Sequence, residues 1–305
     1  MPSSVVRRLA LASVVANSVI VVTGAAVRLT GSGLGCPTWP RCTSTTITPT
    51  PEYAVHGVIE FGNRLLTFVL LGVVVATLVA VWRQRPARPG MRRLAVLGAL
   101  GIPAQAGLGG ITVLTGLNPW TVGLHLLLSM ALIAVAVVLH QRSREGDAPP
   151  LKVLAGGLLV LVGATLAVGT VVTGSGPHSG DPAAGRNGLD PQALSQLHAD
   201  LVFLLVGLTA AFWLALRATG GPSRPMGVLL AVLLGQGVVG FVQYYTDLPV
   251  LLVGLHLVGA CVIQAYAVYA VLALRTRGPG PGPDPTPPTP VIHRRIPAVS
   301  GSSGS

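Results

Sequence analysis

The segment Val122-Gly-Leu-His125 recurs later in the chain as Val253-Gly-Leu-His256. Each histidine follows a glutamine by 20 positions, Gln105 in the first copy and Gln236 in the second, and the two segments align without a gap. A histidine inside an apolar run is costly in a membrane. Its repetition at matched positions therefore indicates a duplicated site.

The composition indicates an all-α integral membrane protein. Of the 305 residues, 51% are hydrophobic and only 10% are charged, and the mean hydropathy is +0.70. So few charges cannot cover a soluble surface of this size. A net charge of +11 would suggest nucleic acid in a soluble protein, but the basic residues lie in short loops between apolar runs. We therefore expect membrane lipid as a partner and no nucleic acid.

Eight apolar runs are long enough to cross the membrane as helices. They lie at 9–27, 57–82, 94–114, 121–139, 153–173, 196–216, 226–243 and 250–274. The first run follows Arg7 and Arg8 and resembles a signal peptide. Because it leads directly into a glycine-rich segment that looks functional, we interpret it as a retained helix.

The distribution of Lys and Arg predicts the orientation. With the N-terminus inside, all but four of the 20 basic residues fall in inner segments. The four on the outer side are Arg28, Arg41, Arg64 and Arg186. We therefore predict a multi-pass protein with both termini cytoplasmic.

The repeat predicts two domains. Four helices return the chain to its starting side, so the second set of four has the same orientation and the repeat is parallel. We predict two pseudo-symmetric four-helix bundles, 1–140 with an external loop at 28–54, and 141–277. The remaining stretch, 278–305, is rich in Pro, Gly and Ser, which predicts a disordered cytoplasmic tail, and its Gly/Ser end resembles an artificial linker.

The three cysteines are too few for a disulfide scaffold. Cys36 and Cys42 share the first external loop on the oxidising side, where we expect a disulfide; a redox-active pair is the alternative. Cys261 lies within the last helix and is most simply a small core residue.

Few ionisable residues lie within or near the helices, and all of them fall near the external ends of the even-numbered helices. They are His56, Glu60, Arg64, His125, His198, Asp200 and His256. Candidate sites should therefore occupy one layer near the external side.

In the second half, His198 and His256 belong to helices 6 and 8. Neutral imidazoles from two facing helices can hold a haem iron from both sides, and the bundle interior supplies apolar walls. The alternative is that each histidine is hydrogen-bonded to a neighbouring helix.

In the first half, Asn63 stands at the position that matches His198, so His125 is the one imidazole that remains. The spacing of Glu60, Asn63 and Arg64 places all three on one helix face. Glu60 is either paired with Arg64 as a structural element or a proton-handling group beside a site open on one side. His56 is either a substitute ligand or an interfacial residue.

Three features together resemble the haem A synthase family, over roughly residues 7–276. They are the segment VTGAAVRLTGSGLGCPTWPRC at 22–42, the motif Ile59-Glu-Phe-Gly-Asn-Arg64 and the histidines of helices 4, 6 and 8. The resemblance implies eight helices in two bundles. It also implies oxidation of the haem O methyl group to the formyl group of haem A, for terminal oxidases. A bacterial cell membrane location and a haem O synthase as donor follow from it.

The resemblance also implies roles for single residues. His198 and His256 would hold a haem b, His125 would bind the substrate haem, Glu60 would be catalytic, and Cys36 and Cys42 match the loop pair of the family.

Two departures from the family pattern matter. Many relatives have histidine where Asn63 stands, which leaves the ligation of the substrate iron open. Many also have a second cysteine pair, whose absence argues against a symmetric thiol mechanism and matches the high-G+C Gram-positive type. From its position, either Arg28 or Arg64 could pair with a haem propionate.

Two other functions stay open. One is a haem b protein for membrane electron transfer, of the quinol oxidoreductase type; the other is a transporter built from parallel repeats. The electron acceptor cannot be assigned from the sequence. A helix face with Ala106, Gly109 and Gly110 would tolerate close packing, as in a homo-oligomer.

Overall fold

A computed structural model describes residues 4–84, 90–143, 152–178 and 180–274. These residues form eight long helices and one 3₁₀ turn at Pro51–Tyr53, with no strand among them. The helices are α1 (Ser4–Leu29), α2 (Ala54–Arg83), α3 (Met91–Leu114), α4 (Pro119–Arg142), α5 (Lys152–Ser175), α6 (Pro191–Ala218), α7 (Arg224–Tyr245) and α8 (Val250–Ala273). All eight are long and apolar enough to cross a membrane, which confirms the predicted fold class. The tail predicted at 278–305 lies outside the described residues.

The first residues of α4 and α6 are set by the same local signal. The Asn118 side chain accepts a hydrogen bond from the backbone N–H of Trp120 at 3.0 Å, and Pro119 follows it. Before α6, the Asp190 side chain accepts one from the backbone of Gln192 at 2.9 Å. An Asn or Asp cap followed by proline is a strong helix start. It fixes the beginnings of the two helices that carry His125 and His198.

Each set of four helices packs in a ring. In the first half α1 contacts α2, α2 contacts α3, α3 contacts α4, and α4 returns to α1; helices α5 to α8 follow the same order. Helices α1 and α4 also contact α8, and α4 contacts α5. This neighbour order is the one expected of two four-helix bundles side by side. A pseudo-symmetric relation between them stays a prediction.

The repeated sequence has a repeated backbone at the turns α3–α4 and α7–α8. Leu117 and Leu248, which share one register, both have a left-handed conformation, with φ of 59° and 58°. The N–H of Leu117 donates to the carbonyl of Thr112 at 2.8 Å, and the N–H of Leu248 to that of Gln243 at 2.8 Å. Left-handed leucine is uncommon, so its recurrence marks the two turns as copies.

The largest apolar core lies in the second half. Phe212 of α6 is fully buried there, among side chains that include Leu158 of α5, Leu229 of α7 and Ala267 of α8. A separate cluster joins the halves and contains Cys261, which is buried as predicted.

We expect Phe212→Ala to destabilise the protein by roughly 3–5 kcal/mol, because the four surrounding helices cannot close the cavity it leaves. Thermal unfolding of the purified protein in detergent measures the effect. Phe68→Ala is the matched control, because the side chain of Phe68 is 70% exposed on the outside of α2. Equal melting temperatures for the two variants would contradict the assignment of this core.

Candidate functional site

Four side chains of the external layer lie against a glycine of the preceding helix. The pairs are Asn63 with Gly24, His125 with Gly109, His198 with Gly169, and His256 with Gly240. A Cβ added to the glycine would lie 3.0 Å from the ring of His125 or His198, 3.3 Å from that of His256, and 3.9 Å from the amide of Asn63. The same construction therefore recurs in all four helix hairpins, with an amide in place of an imidazole in the first.

The second half brings two imidazoles together, as the sequence predicted for helices 6 and 8. The ring centroids of His198 and His256 lie 6.4 Å apart, with an interplanar angle of 67°. The Nδ1 atoms of both rings are buried and make no hydrogen bond to the described residues. Gln236 donates to the His256 carbonyl at 2.7 Å, and the lack of a side chain at Gly259 makes room for this amide. The two rings thus lie close together between α6 and α8, in an edge-on arrangement.

The first half holds one imidazole and one amide. Gln105 donates to the His125 carbonyl at 2.7 Å and to the Ser129 hydroxyl, so the glutamine-to-histidine contact matches that of the second half. The Nδ1 of His125 is buried and has no hydrogen bond to the described residues. The Oδ1 of Asn63 accepts a hydrogen bond from the Thr23 hydroxyl at 2.7 Å, which fixes the amide to α1.

Glu60 is buried and its carboxylate is paired. One oxygen accepts from the Arg64 guanidinium at 2.5 and 3.2 Å, and the other accepts from the backbone N–H of Cys36 at 2.6 Å. The ion pair that the sequence left as one alternative is therefore present. Such charge-assisted bonds are short and strong.

Arg64 also holds the disulfide loop. The disulfide predicted between Cys36 and Cys42 is formed. Arg64 donates to the carbonyls of Cys36 at 2.9 Å, Thr38 at 3.0 Å and Arg41 at 3.2 Å. Glu60 and Arg64 together therefore fix the loop backbone on α2 from both ends.

Arg28 reaches from the first half to the second. Its Nε donates to the His178 carbonyl at 2.5 Å and its Nη2 to the Thr173 carbonyl at 3.1 Å. The backbone N–H of Gly33 donates to the Gly180 carbonyl at 3.0 Å beside it. Two of the donors of Arg28 are thus engaged within the chain, so Arg64 and Arg28 both act on loop carbonyls in this structure.

His56 and Asp200 lie at the edge of the layer. His56 is exposed, and its Nδ1 is 2.9 Å from the Ser32 hydroxyl. Asp200 is exposed and accepts from Gln196 at 2.9 Å. The choice between a substitute ligand and an interfacial role for His56 stays a prediction.

Sequence reasoning missed the side chain that covers α3. The Trp39 ring lies on Gly110, next to the glycine that contacts His125. The repeat offered one sign that α3 carries extra cover here. Gly109 matches a glycine of the second copy, Gly240, whereas Gly110 matches the bulky Phe241. Gly109 and Gly110 are thus both covered by side chains of the chain itself.

Comparison with known proteins places this chain in a family. A model of the cytochrome oxidase assembly protein family (COX15-CtaA) matches residues 7–178, more than half of the chain. The Heme A synthase of Shouchella clausii is 34% identical over 149 residues, 48% of each chain. Those of Listeria welshimeri and Symbiobacterium thermophilum are 28% identical over 141 residues and 30% over 142. They cover 45% and 46% of this chain and 46% and 45% of their own.

These alignments leave the remainder of each relative unmatched, since the chain spans about half the length of the curated relatives it matches. The family model nonetheless extends over both the first bundle and the beginning of the second. The chain belongs to the cytochrome oxidase assembly protein family.

Proposed function

We propose that this multi-pass membrane protein is a haem A synthase, which oxidises the methyl group of haem O to the formyl group of haem A. The observation that carries the proposal is the facing pair His198 and His256, with ring centroids 6.4 Å apart. The relatives named Heme A synthase support the same activity.

The second half fits a haem b. A metal bound to one nitrogen of each ring, with bonds of about 2 Å, separates the two ring centroids by about 6 Å. The observed 6.4 Å agrees with this value. Both histidines belong to helices apolar enough to cross a membrane, α6 and α8, as a macrocycle requires. A haem b held there would supply one-electron redox chemistry between the substrate and an electron acceptor outside this chain.

The first half would bind haem O as substrate. His125 is the ligand we assign to its iron, because an amide such as Asn63 is a weak ligand and its oxygen is already bound to Thr23. One imidazole leaves the opposite side of the bound molecule open. Such a site suits a molecule that is changed and released, whereas the paired imidazoles of the second half suit one that is retained. Of the two arginines that the sequence offered for a propionate, we propose Arg28, because all five donors of Arg64 already bind Glu60 and loop carbonyls whereas Arg28 uses two.

Glu60 is the proposed catalytic residue. Two successive hydroxylations of the methyl group give a geminal diol, which loses water to leave the aldehyde. Each hydroxylation takes its oxygen atom from one water molecule and releases two protons, with two electrons passing to the acceptor outside this chain, so a proton acceptor is needed. Arg64 and the Cys36 N–H keep the carboxylate of Glu60 in place, and each of its oxygens has lone pairs to accept a further hydrogen bond.

The cellular location and the roles of the two domains follow from the same proposal. The protein would lie in the bacterial cell membrane with both termini cytoplasmic and both haem sites near the external side, with 1–140 as the substrate domain and 141–277 as the haem b domain. A haem O synthase would supply the substrate, which is too apolar to cross water unaided.

Extraction of bound pigments tests the proposal. The protein is co-expressed with a source of haem O, and the extracted haems are identified by mass, with membranes that lack the protein as control. We expect hydroxylated and formyl haem in addition to haem b. Unchanged haem O together with a b-type spectrum would instead favour the electron-transfer protein, and the absence of a Soret band would contradict every haem function.

A further inference from the structure

We propose that Trp39 is a movable wall of the His125 site, positioned by the Glu60–Arg64 pair, and that haem O exchanges past it between the outer ends of α2 and α3. The inference rests on the proposed function, because it assumes that the first half binds the substrate haem. It adds a substrate-contacting residue and a route to that site.

The contact between Trp39 and α3 is unusually close. A Cβ on Gly110 would lie 2.5, 2.8 and 2.9 Å from three atoms of the indole ring, closer than real Cβ atoms approach. Only glycine at this position lets the ring lie flat on the helix backbone. A tryptophan that merely anchored the loop at the lipid surface would need no such fit.

The ring lies beside the candidate ligand. Gly109 contacts the ring of His125, and the next residue, Gly110, contacts Trp39. Successive residues of a helix point about 100° apart, so His125 and Trp39 cover adjoining faces of α3. Trp39 thus stands on the α2 side of the space next to His125.

The backbone is hydrogen-bonded to α2 on both sides of Trp39. Arg64 binds the carbonyls of Thr38 and Arg41, and Glu60 binds the N–H of Cys36. The disulfide closes the same segment. The backbone on both sides of Trp39 is therefore tied to α2, while its side chain rests on α3 and is 41% exposed.

The second half has a different aromatic arrangement at the position that matches Gly110. Phe241 replaces the glycine of α3, and its ring lies 6.3 Å from that of Phe203 on α6. The loop at 176–190 has no Phe, Tyr or Trp. The aromatic side chains here belong to the helices, whereas in the first half the aromatic side chain belongs to a loop. A ring on a loop can swing away without unpacking two helices, which fits a site that must exchange its occupant.

Haem release tests the proposal. Protein loaded with haem O is mixed with an excess of an apoglobin as scavenger, and the loss of haem from the first half is followed by absorbance. We expect Trp39→Ala and Gly110→Ala each to speed this release by roughly 2- to 10-fold, the loss of one aromatic contact. Release of haem b from the second half should not change.

Gly107→Ala is the matched control. Gly107 lies one turn before Gly110 on α3, and the change to alanine raises helix propensity by the same amount at both positions. A Cβ at Gly107 would have no atom within 4 Å. If Trp39→Ala and Gly110→Ala released haem O at the rate of Gly107→Ala, the proposal that Trp39 is a wall of the site would be contradicted. A wild-type protein that binds haem O but makes no formyl haem would contradict the proposed function and leave the release test valid, and one that binds no haem O in its first half would overturn both.

Discussion

His198→Ala should purify without the b-type haem of the second half, with affinity at least about 100-fold lower, since even weaker changes around a metal ligand cost 10- to 100-fold. The reason is geometric: His256 then faces a methyl group instead of the imidazole 6.4 Å away. The absorption spectrum and the haem content per mole of protein measure the loss. Haem O in the first half should still bind.

His140→Ala is the control for this experiment. Its ring lies near the C-terminal end of α4, where Nδ1 is 3.3 Å from the Arg7 carbonyl, at the opposite end of that helix from His125. We expect this variant to keep its full haem content. A His198→Ala protein with an unchanged b-type spectrum would mean that the haem b ligands lie elsewhere.

Glu60→Ala should lower formation of formyl haem by about 10²- to 10⁴-fold, the usual contribution of a proton-transfer group. It should also destabilise the protein by roughly 3 kcal/mol, because it leaves the guanidinium of Arg64 without its anion in a mostly buried position. Product analysis by mass and thermal unfolding in detergent measure the two effects on the same preparation.

Glu60→Gln separates the two roles of this side chain. The amide oxygen can still accept the hydrogen bond from Cys36, but it carries no charge and is a poor proton acceptor. We expect stability closer to wild type and activity as low as that of Glu60→Ala. Wild-type activity in Glu60→Gln would show that the carboxylate only holds the loop, and would contradict its catalytic role.

The helices and the histidine register could be predicted from the sequence because both depend on local patterns. Apolar length alone determines which segments can cross the membrane, and all eight predicted runs overlap a helix. The matched glutamines were equally readable: Gln105 and Gln236 make the same bond to the carbonyl of a histidine 20 residues later. The alignment of Asn63 with His198 has a structural counterpart in their similar contacts with Gly24 and Gly169.

The contacts of the external loops could not be predicted. Glu60 and Arg64 were visible as a pair four residues apart, but nothing periodic shows that Arg64 also binds three loop carbonyls. Trp39 and Gly110 are far apart in the chain and have no shared pattern. Such contacts depend on how a loop folds back over a finished bundle, which a single sequence does not encode locally.

The bonds made by Arg28 have a mechanical consequence. A transporter that works by rocking one repeat against the other must break whatever joins the two repeats on the outer side at every cycle. Here Arg28 and Gly33 of the first half make three hydrogen bonds to the end of α5 and the loop that follows it, two of them from a charged group. Each charged bond contributes roughly 1.5–3 kcal/mol. A rocking motion of one half against the other would have to break these three bonds, which argues against a transporter of that type.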